Sequence, residues 1–370
     1  MGRRTRAEQR KFTRQRVLEA ALAEFTEFGF RGATVDGIAE RAGATRGAVY
    51  SNFPGKRALY LSTLAQVAEC APCPSPRAPG ETPEAALRLF AATWAERLPR
   101  TSDYRCDATE QLRSPMLSID LIPEIQSDQR IRRPFAQLIE LDAILLGTAL
   151  QALSPTPTRS PEPFVRIAES VLTVLYGATQ LSLAAPGFVD PARLEGFCEQ
   201  IAHLDPGADT PAPEPPIRPA LHRVCETWPA PAGFDIVRAT RCGLDGHRMV
   251  AVLGMHRVAA IQDALGPGPR PGAVTAVLVT DDRTGEFVPL ARLALTDLSR
   301  SLRCAFPLSA LPELQVVIDE DRTIASACGF DSVDNDFEAA LTVGDGRITA
   351  RAQGPGACLA VAAAVIASYP

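Results

Sequence analysis

Four histidines in 370 residues, His203, His222, His247 and His256, are too few and too scattered to build a metal centre. No Gly-x-Ser-x-Gly elbow occurs, so a hydrolase nucleophile of that type has no seat. The glycine-rich stretch GPGPRPG at 266–272 lacks a Gly-Lys-Ser/Thr ending, and its prolines remove the N–H donors that would cradle a phosphate; it reads as a loop. Asp331, Asp334, Asp336 and Glu338 crowd one segment without the glycine of a calcium loop, so a solvated acidic loop is expected there. Nine cysteines, an odd number at irregular spacing, do not form a disulfide framework. The charged amino end has no apolar run behind it, and the apolar stretches around 171–185 and 358–368 read as too short or too polar to span a bilayer. These absences point to a cytoplasmic chain with mostly reduced thiols, no metal, no cofactor and no membrane partner.

A net basic charge is also missing: the total is −5. The distribution matters more. Residues 1–66 hold 12 Lys and Arg against 6 Asp and Glu, whereas the remainder holds 26 against 37. Positive charge is thus gathered at the amino end, as a phosphate-contacting module requires, and the acidic remainder would repel DNA.

Within that basic end lies TVDGIAERAGATRGAVYSNFPGK, 34–56, which reads as two short helices across a tight turn. Thr34 is a candidate N-cap, with Val35, Ile38 and Ala39 on one face. Gly43, in Ala42-Gly43-Ala44, tolerates the positive φ of a sharp reversal. Thr45 can cap the second helix, which turns Ala48 and Val49 inward and ends near Phe53-Pro54. Thr45, Arg46, Gly47, Tyr50 and Asn52 then project away from the core. An arginine fork suits guanine edges, small residues allow close approach, and Tyr and Asn suit phosphates or bases. The pattern is a helix-turn-helix.

Residues 14–60, RQRVLEAALAEFTEFGFRGATVDGIAERAGATRGAVYSNFPGKRALY, resemble the DNA-binding domain of TetR-type (tetracycline-repressor-like) regulators. The likeness rests on the Phe-Gly-Phe end of the first helix, the Thr-Val before the second and the Gly-Ala-Val-Tyr-Ser-Asn-Phe-Pro-Gly-Lys run. It implies that Tyr50 and Lys56 hold phosphates, that Thr34 caps onto a phosphate, and that Thr45, Arg46 and Gly47 face bases. It further implies a homodimer on a palindromic double-stranded operator, released by a small-molecule effector.

Ahead of this stretch, Arg3, Arg4, Arg6, Arg10 and Lys11 form a basic arm without apolar periodicity. It reads either as a phosphate or minor-groove contact or as a solvated tail. Thr13 is the candidate cap of a helix with Val17, Leu18, Ala21, Leu22, Phe25 and Phe28 at helical spacing, stopped by Gly29. Lys56 opens a helix to about Glu69 that should join head and body; in the family a comparable helix carries the effector signal. Cys70-Ala71-Pro72-Cys73 follows. A CxxC pair suggests redox chemistry or half a zinc site, but it lies at the carboxyl end of a helix, where the dipole disfavours thiolate, and no further ligand is near.

From 83 to about 203 the chain reads as helical: 85–97, a long run 123–153, the very apolar 164–184, and 191–203. By the resemblance, the last two helices pair with their copies as a four-helix bundle and the earlier ones enclose an apolar pocket. Trp94, Tyr104, Met116, Phe135 and Tyr176 are candidate liners; the plainer role of each is core.

DPGADTPAPEPPIRP, 205–219, reads as a semi-extended linker, where the resemblance ends. Beyond it the period changes. Strands are expected at 248–253, 274–280, 314–318, 339–343 and 347–350, the last two joined by an Asp345-Gly346 hairpin turn, and helices at 255–265, 290–304 and 356–368. This is an α/β domain with a mixed sheet. In order of elements it resembles thioredoxin or peroxiredoxin folds. The place of their nucleophile reads Gly254-Met255-His256-Arg257, without a thiol, and Asn335-Asp336 stands before Phe337 where they carry proline.

The expected architecture is therefore an all-α regulator, helix-turn-helix head 1–66 and helical ligand and dimerisation domain 67–204, then a linker 205–220 and a smaller α/β, thioredoxin-like domain 221–370. The expected function is a ligand-responsive, homodimeric DNA-binding repressor rather than an enzyme. The alternative is a thiol-redox enzyme or sensor acting through the last domain or Cys70 and Cys73.

Overall fold

The computed structural model describes residues 5–71, 77–98, 118–155, 161–204, 219–265 and 273–366. Arg3, Arg4, Cys73, Tyr104, Met116 and nearly all of the expected linker lie outside them.

Helix α1 is Arg6–Gly32, bent at Gly29. It starts well before Thr13, the cap that the sequence suggests. Thr5 and Glu8 form a reciprocal capping box, while the Thr13 hydroxyl donates to Gln9 O inside the helix, at 3.0 Å. The basic stretch therefore continues as helix from Arg6. Helices α2 (Val35–Arg41) and α3 (Arg46–Tyr50) are capped by Thr34 and Thr45, and Gly43 makes the turn at φ +55°. Helix α4 is Lys56–Cys70. Val17, Ala21, Phe25, Ile38, Val49, Phe53, Leu59 and Tyr60 close a small core. Phe28, expected in it, is 48% exposed, with the Arg41 guanidinium 5.8 Å from its ring centroid.

The helical body contains α5 (Pro83–Ala95), α6 (Leu121–Ser127), α7 (Gln129–Leu153), α8 (Glu162–Ala184) and α9 (Pro191–Ile201). The single run expected at 123–153 is two helices, because Asp128 leaves helical geometry and caps α7 at Arg130 N. Helix α8 starts at Glu162, so the apolar stretch is longer than 171–185. By length and composition α7 and α8 are both sufficient to cross a membrane. Here Leu138, Leu141, Leu145, Val171, Leu172 and Leu175 from the two helices share one buried core.

The last part holds a six-stranded mixed sheet in the order β1-β8-β7-β4-β5-β6 and a separate ribbon of β2 and β3. The strands are β1 (His222–Thr227), β2 (Ala232–Asp235), β3 (Thr240–Gly243), β4 (Arg248–Gly254), β5 (Ala273–Val279), β6 (Leu314–Ile318), β7 (Glu338–Gly344) and β8 (Arg347–Gln353). Strands β4, β5 and β6 are parallel; β7 returns antiparallel to β4, and β8 and β1 follow antiparallel. Helices α10 (Phe287–Ala305), α11 (Thr323–Ala327) and α12 (Ala357–Ile366) complete it. The helix expected at 255–265 is a turn followed by a 3-10 helix, Val258–Leu265. Strands β1, β2 and β3 carry no clear sequence signal; β1 is a largely exposed edge strand without apolar alternation.

The last domain packs directly against the rest of the described chain. Strand β4 is buried on both faces, which is why RMVAVL reads as a continuous apolar run. Its Val250 and Val252 face a second core with Val277, Leu341 and Phe330. Its Met249, Ala251 and Leu253 join the principal core, and that core runs without a break into α5, α7 and α8. Helix α10 is the shared element. It is buried nearly all round, and its Leu293 reaches the core of the amino-terminal head.

Candidate nucleic-acid interface

The helix-turn-helix is fixed by its caps. The Thr34 hydroxyl accepts from Gly37 N at 3.0 Å and the Thr45 hydroxyl from Ala48 N at 3.2 Å. Beneath them the carboxylate of Glu24, 5% exposed, pairs with Arg41 at 2.6 Å. The Arg16 guanidinium donates to Ala42 O at the turn. The result is a rigid seat for α3.

Thr34, Thr45, Arg46, Gly47 and Tyr50 are placed as the sequence suggests. Arg46, Gly47 and Tyr50 are exposed on α3, and Thr34 and Thr45 stand at the helix starts as caps. Arg46 lies 3.2 Å from Asp36 and 5.5 Å from the Tyr50 ring centroid, and the Tyr50 hydroxyl and the Asp36 charge raise its guanidinium above its ordinary value. Both partners are solvated, so the pair is weak and easily exchanged for a base or phosphate. Asn52 departs from expectation. It is half-buried, and its amide donates to Ala48 O at 2.8 Å, the geometry of a helix-end cap rather than of a phosphate ligand. Lys56 donates to Arg31 O at 3.3 Å over the Phe30 ring, and burial pulls its ammonium below its ordinary value against the raising charges of Glu124 and Asp120.

Residues 17–63 match the family model described as bacterial regulatory proteins, tetR family. The head is a TetR-type helix-turn-helix domain. Related stretches occur in the uncharacterized HTH-type transcriptional regulator TtgW of Pseudomonas putida, 49% identical over 65 residues. That match is 18% of this chain and 48% of that protein. HTH-type transcriptional regulator SrpR of Pseudomonas putida is likewise 49% identical over 65 residues, 18% of this chain and 30% of its own. HTH-type transcriptional regulator RutR of Escherichia coli is 41% identical over 66 residues, 18% of this chain and 30% of its own. The chain thus spans less than half the length of these relatives. Among solved structures, a TetR transcriptional regulator from a Rhodococcus species aligns over 52% of this chain and 95% of its own, at 21% identity and a TM-score of 0.31.

Behind the TetR-type head, the first turn of α4 is gripped from two sides. Arg57 Nη2 sits 2.6 Å from Asp128 Oδ2 and 2.7 Å from Glu286 Oε2. Burial alone would lower the Arg57 guanidinium, but hydrogen bonds to Glu286 and Asp128 outweigh it and hold it above its ordinary value. Beside it, Gly285 at φ +68° lies so close that a Cβ would be 3.1 Å from Pro54 Cδ. No motif signals Glu286 or Gly285 as partners of the head. Glu286 is 229 residues from Arg57 in sequence, and only folding brings them together. Further contacts tie the body to the sheet: Arg97–Asp297 at 2.6 Å, Arg133–Asp336 at 2.8 Å, and Ala259 N donating to Gln137 Oε1 at 3.1 Å.

The candidate effector space is a cleft of about 460 Å³ between α6, α7 and α8. Phe135 and Tyr176 line it. Trp94 does not: it is 8% exposed in the core, donates from Nε1 to Thr179 Oγ1 at 3.0 Å and packs edge-on against Tyr176. On α7, which walls this cleft, stands a carboxyl that no motif signals. Asp142 is buried, its Oδ1 has no hydrogen-bond partner, and burial together with the Asp297 charge pushes it well above the carboxylate range.

As for thiols, Cys70 is exposed at the end of α4. Cys198, Cys328 and Cys358 are buried. Burial pushes Cys198 and Cys328 up to about 12 and Cys358 well above its ordinary value, the opposite of activation. Among the described residues no group of three or more His, Cys, Asp or Glu could hold a metal ion.

Proposed function

We propose that the protein is a ligand-responsive, homodimeric transcriptional repressor that inserts α3 into the major groove of a palindromic operator. The observation that carries this is the exposed Arg46–Tyr50 face on a capped, close-packed TetR-type head. Thr45, Arg46 and Gly47 meet base edges; Thr34, Tyr50 and Lys56 meet phosphates, with Arg3 and Arg4 reaching further along the backbone.

A second copy fits against α8 and α9. Leu181, Phe188, Phe197 and Leu204 are 48%, 72%, 51% and 56% exposed. Gly196 on α9 has open space where a Cβ would stand, so a second backbone can approach closely there.

The last domain is read as thioredoxin-like in its connectivity. The parallel pair β4 and β5 and the antiparallel β7 and β8 followed by α12 support that reading, with β6 added parallel to β5 and β1 antiparallel to β8 at the two edges. Its role here is regulatory. Helix α10 and the Gly285-Glu286 corner hold α4, the element joining head and effector body, so movement of the sheet domain and of the recognition helix are mechanically linked.

The test is a fluorescence-anisotropy titration of the full chain against a duplex selected from a random pool. Arg46→Ala relaxes base choice by about 1–3 kcal/mol at one position. Lys56→Ala weakens all duplexes alike and lowers the salt slope by about 0.9. A monomeric protein, or an affinity indifferent to salt, overturns the reading.

A further inference from the structure

The loop between β5 and α10, 280–286, is a fixed corner at the carboxyl end of a parallel strand. The Asp282 carboxylate accepts from Thr284 N at 2.9 Å and Thr284 Oγ1 at 2.6 Å through Oδ1, and from Glu286 N at 2.8 Å and Phe287 N at 3.1 Å through Oδ2. Asp282 N donates to Thr280 Oγ1 at 3.0 Å, and that hydroxyl donates to Asn335 Oδ1 at 2.7 Å. The Arg322 guanidinium donates to Thr280 O at 3.0 Å. The loop backbone is thus held by the protein itself, while Arg283 within it is exposed. Among the described residues no ion pair or hydrogen bond holds the Arg283 side chain.

This corner stands against the head. A Cβ on Gly285 would lie 3.1 Å from Pro54 Cδ and 3.9 Å from Ala58 Cβ, and Glu286 Oε2 is 2.7 Å from Arg57 Nη2. Further along, Arg292 is 3.9 Å from Glu69, and Leu293 enters the head core with Leu64. Helices α10 and α4 therefore run side by side in the same direction, with their amino ends level. Pro54 falls between Tyr50 and Lys56, two phosphate ligands of the proposed interface. Of the acids at the corner, Asp282 is occupied by the amino end of α10 and Glu286 by Arg57. That leaves Arg283 and Asp281, both exposed. An arginine without a protein partner gives up no ion pair on meeting phosphate, and its planar fork matches phosphate oxygens. Asp281 has the opposite sign and weakens that attraction at short range.

We infer that the sheet domain takes part in operator binding, with Arg283 holding a backbone phosphate next to the one held by Lys56. This deepens the repressor reading and rests on it. The protein–DNA contact then extends past the TetR-type head, whose match ends at residue 63. A phosphate contact of this kind fixes register and adds affinity without reading bases. Because the Gly285-Glu286 corner is bonded to α4, Arg283 keeps its station only while α10 and α4 stay together.

The experiment is a fluorescence-anisotropy titration of the full chain against the selected duplex from about 50 to 200 mM salt, with phosphate-ethylation interference on the same duplex. Wild type is compared with Arg283→Ala, Asp281→Asn and Arg347→Ala. Arg347 is an exposed arginine at the opposite, amino edge of β4, so its loss removes the same charge at the other end of the sheet. One lost phosphate contact lowers the salt slope by about 0.9, so the affinity deficit of Arg283→Ala should shrink about 3.5-fold across that salt range. Interference should vanish at a single phosphate in each half-site, with base preference and thermal midpoint unchanged. Asp281→Asn should bind more tightly than wild type, and Arg347→Ala should match it. An Arg283→Ala protein with the wild-type slope and interference pattern overturns the inference. An equal loss in Arg347→Ala overturns it too, since overall charge would then account for the effect. Absence of salt-dependent duplex binding by the wild-type chain would sink the repressor reading and this role with it. Wild-type binding whose base choice Arg46→Ala relaxes, but which Arg283→Ala leaves intact, would sink only the role of Arg283.

Discussion

Replacing Arg57 by alanine removes the cation shared by Asp128 and Glu286. The three side chains are 16%, 19% and 10% exposed, with contacts of 2.6 and 2.7 Å. A fully buried pair broken on one side costs roughly 3–5 kcal/mol. Residual water at these side chains screens the orphaned carboxylates, so about 2–3 kcal/mol is the expected loss for Arg57→Ala. Glu286→Ala should cost less, because Asp128 still neutralises Arg57. In the double-mutant cycle, the Arg57–Glu286 coupling should be about 1–2 kcal/mol. Urea denaturation followed by circular dichroism measures it, together with duplex affinity for each variant. Arg57→Lys should recover part of the stability, since the charge remains but one ammonium cannot bridge both acids with a planar fork. A coupling below about 0.3 kcal/mol, within the error of additive sites, would refute the idea that the sheet domain and α4 are held together by this contact.

Gly285→Ala should destabilise by about 1–3 kcal/mol, because an L side chain at φ +68° is strained and its Cβ would press on Pro54; thermal unfolding of the variant checks it. Asp142 has the opposite pH sign from a paired carboxylate. Its folded pKa lies well above the ordinary aspartate value of 3.8, so the unfolded state loses its proton first and stability falls as pH rises from about 4 towards the folded value. Asp142→Asn should remove a slope of up to about 1.4 kcal/mol per pH unit in that window; identical pH profiles for the two proteins would contradict the burial argument. Asp128 runs the other way, held below its ordinary range by hydrogen bonds from Arg130 and then Arg57. Its contribution is present above the ordinary carboxylate pKa and lost as pH falls through the depressed one, so Asp128→Asn should lose most of its destabilising effect in strong acid, as urea denaturation across that pH range would show. Leu181→Asp with Phe197→Asp places charge on the exposed α8 and α9 face and should shift the protein towards monomer in sedimentation velocity, lowering operator affinity without unfolding the head.

The sequence by itself determined the head and most of the element list. Thr34, Gly43 and Thr45 carry their signals locally, since a cap and a turn depend on residues within four positions. The apolar runs at β4, β5 and β6 and the Asp345-Gly346 turn were legible for the same reason. Of the candidate site, the exposed face of α3 could be read from its caps and spacing, whereas Phe135 and Tyr176 came only as liners that the family resemblance implied. Asn52 turned inward and Trp94 went to the core because those choices depend on neighbours that helical periodicity does not name. Strand β1 was invisible: an edge strand paired on one side, to β8, carries no period of its own. Tertiary structure alone decided that the last domain packs against the helical body and the head. The α10 residues that cover the sheet and those that cover α4, α5 and α7 are largely apolar, and a sequence cannot say which of two partners an apolar face will meet. Nor can it join Arg57 to Glu286 across 229 residues, because a charge pair has no sequence period and its partner is chosen only when the cores on either side close.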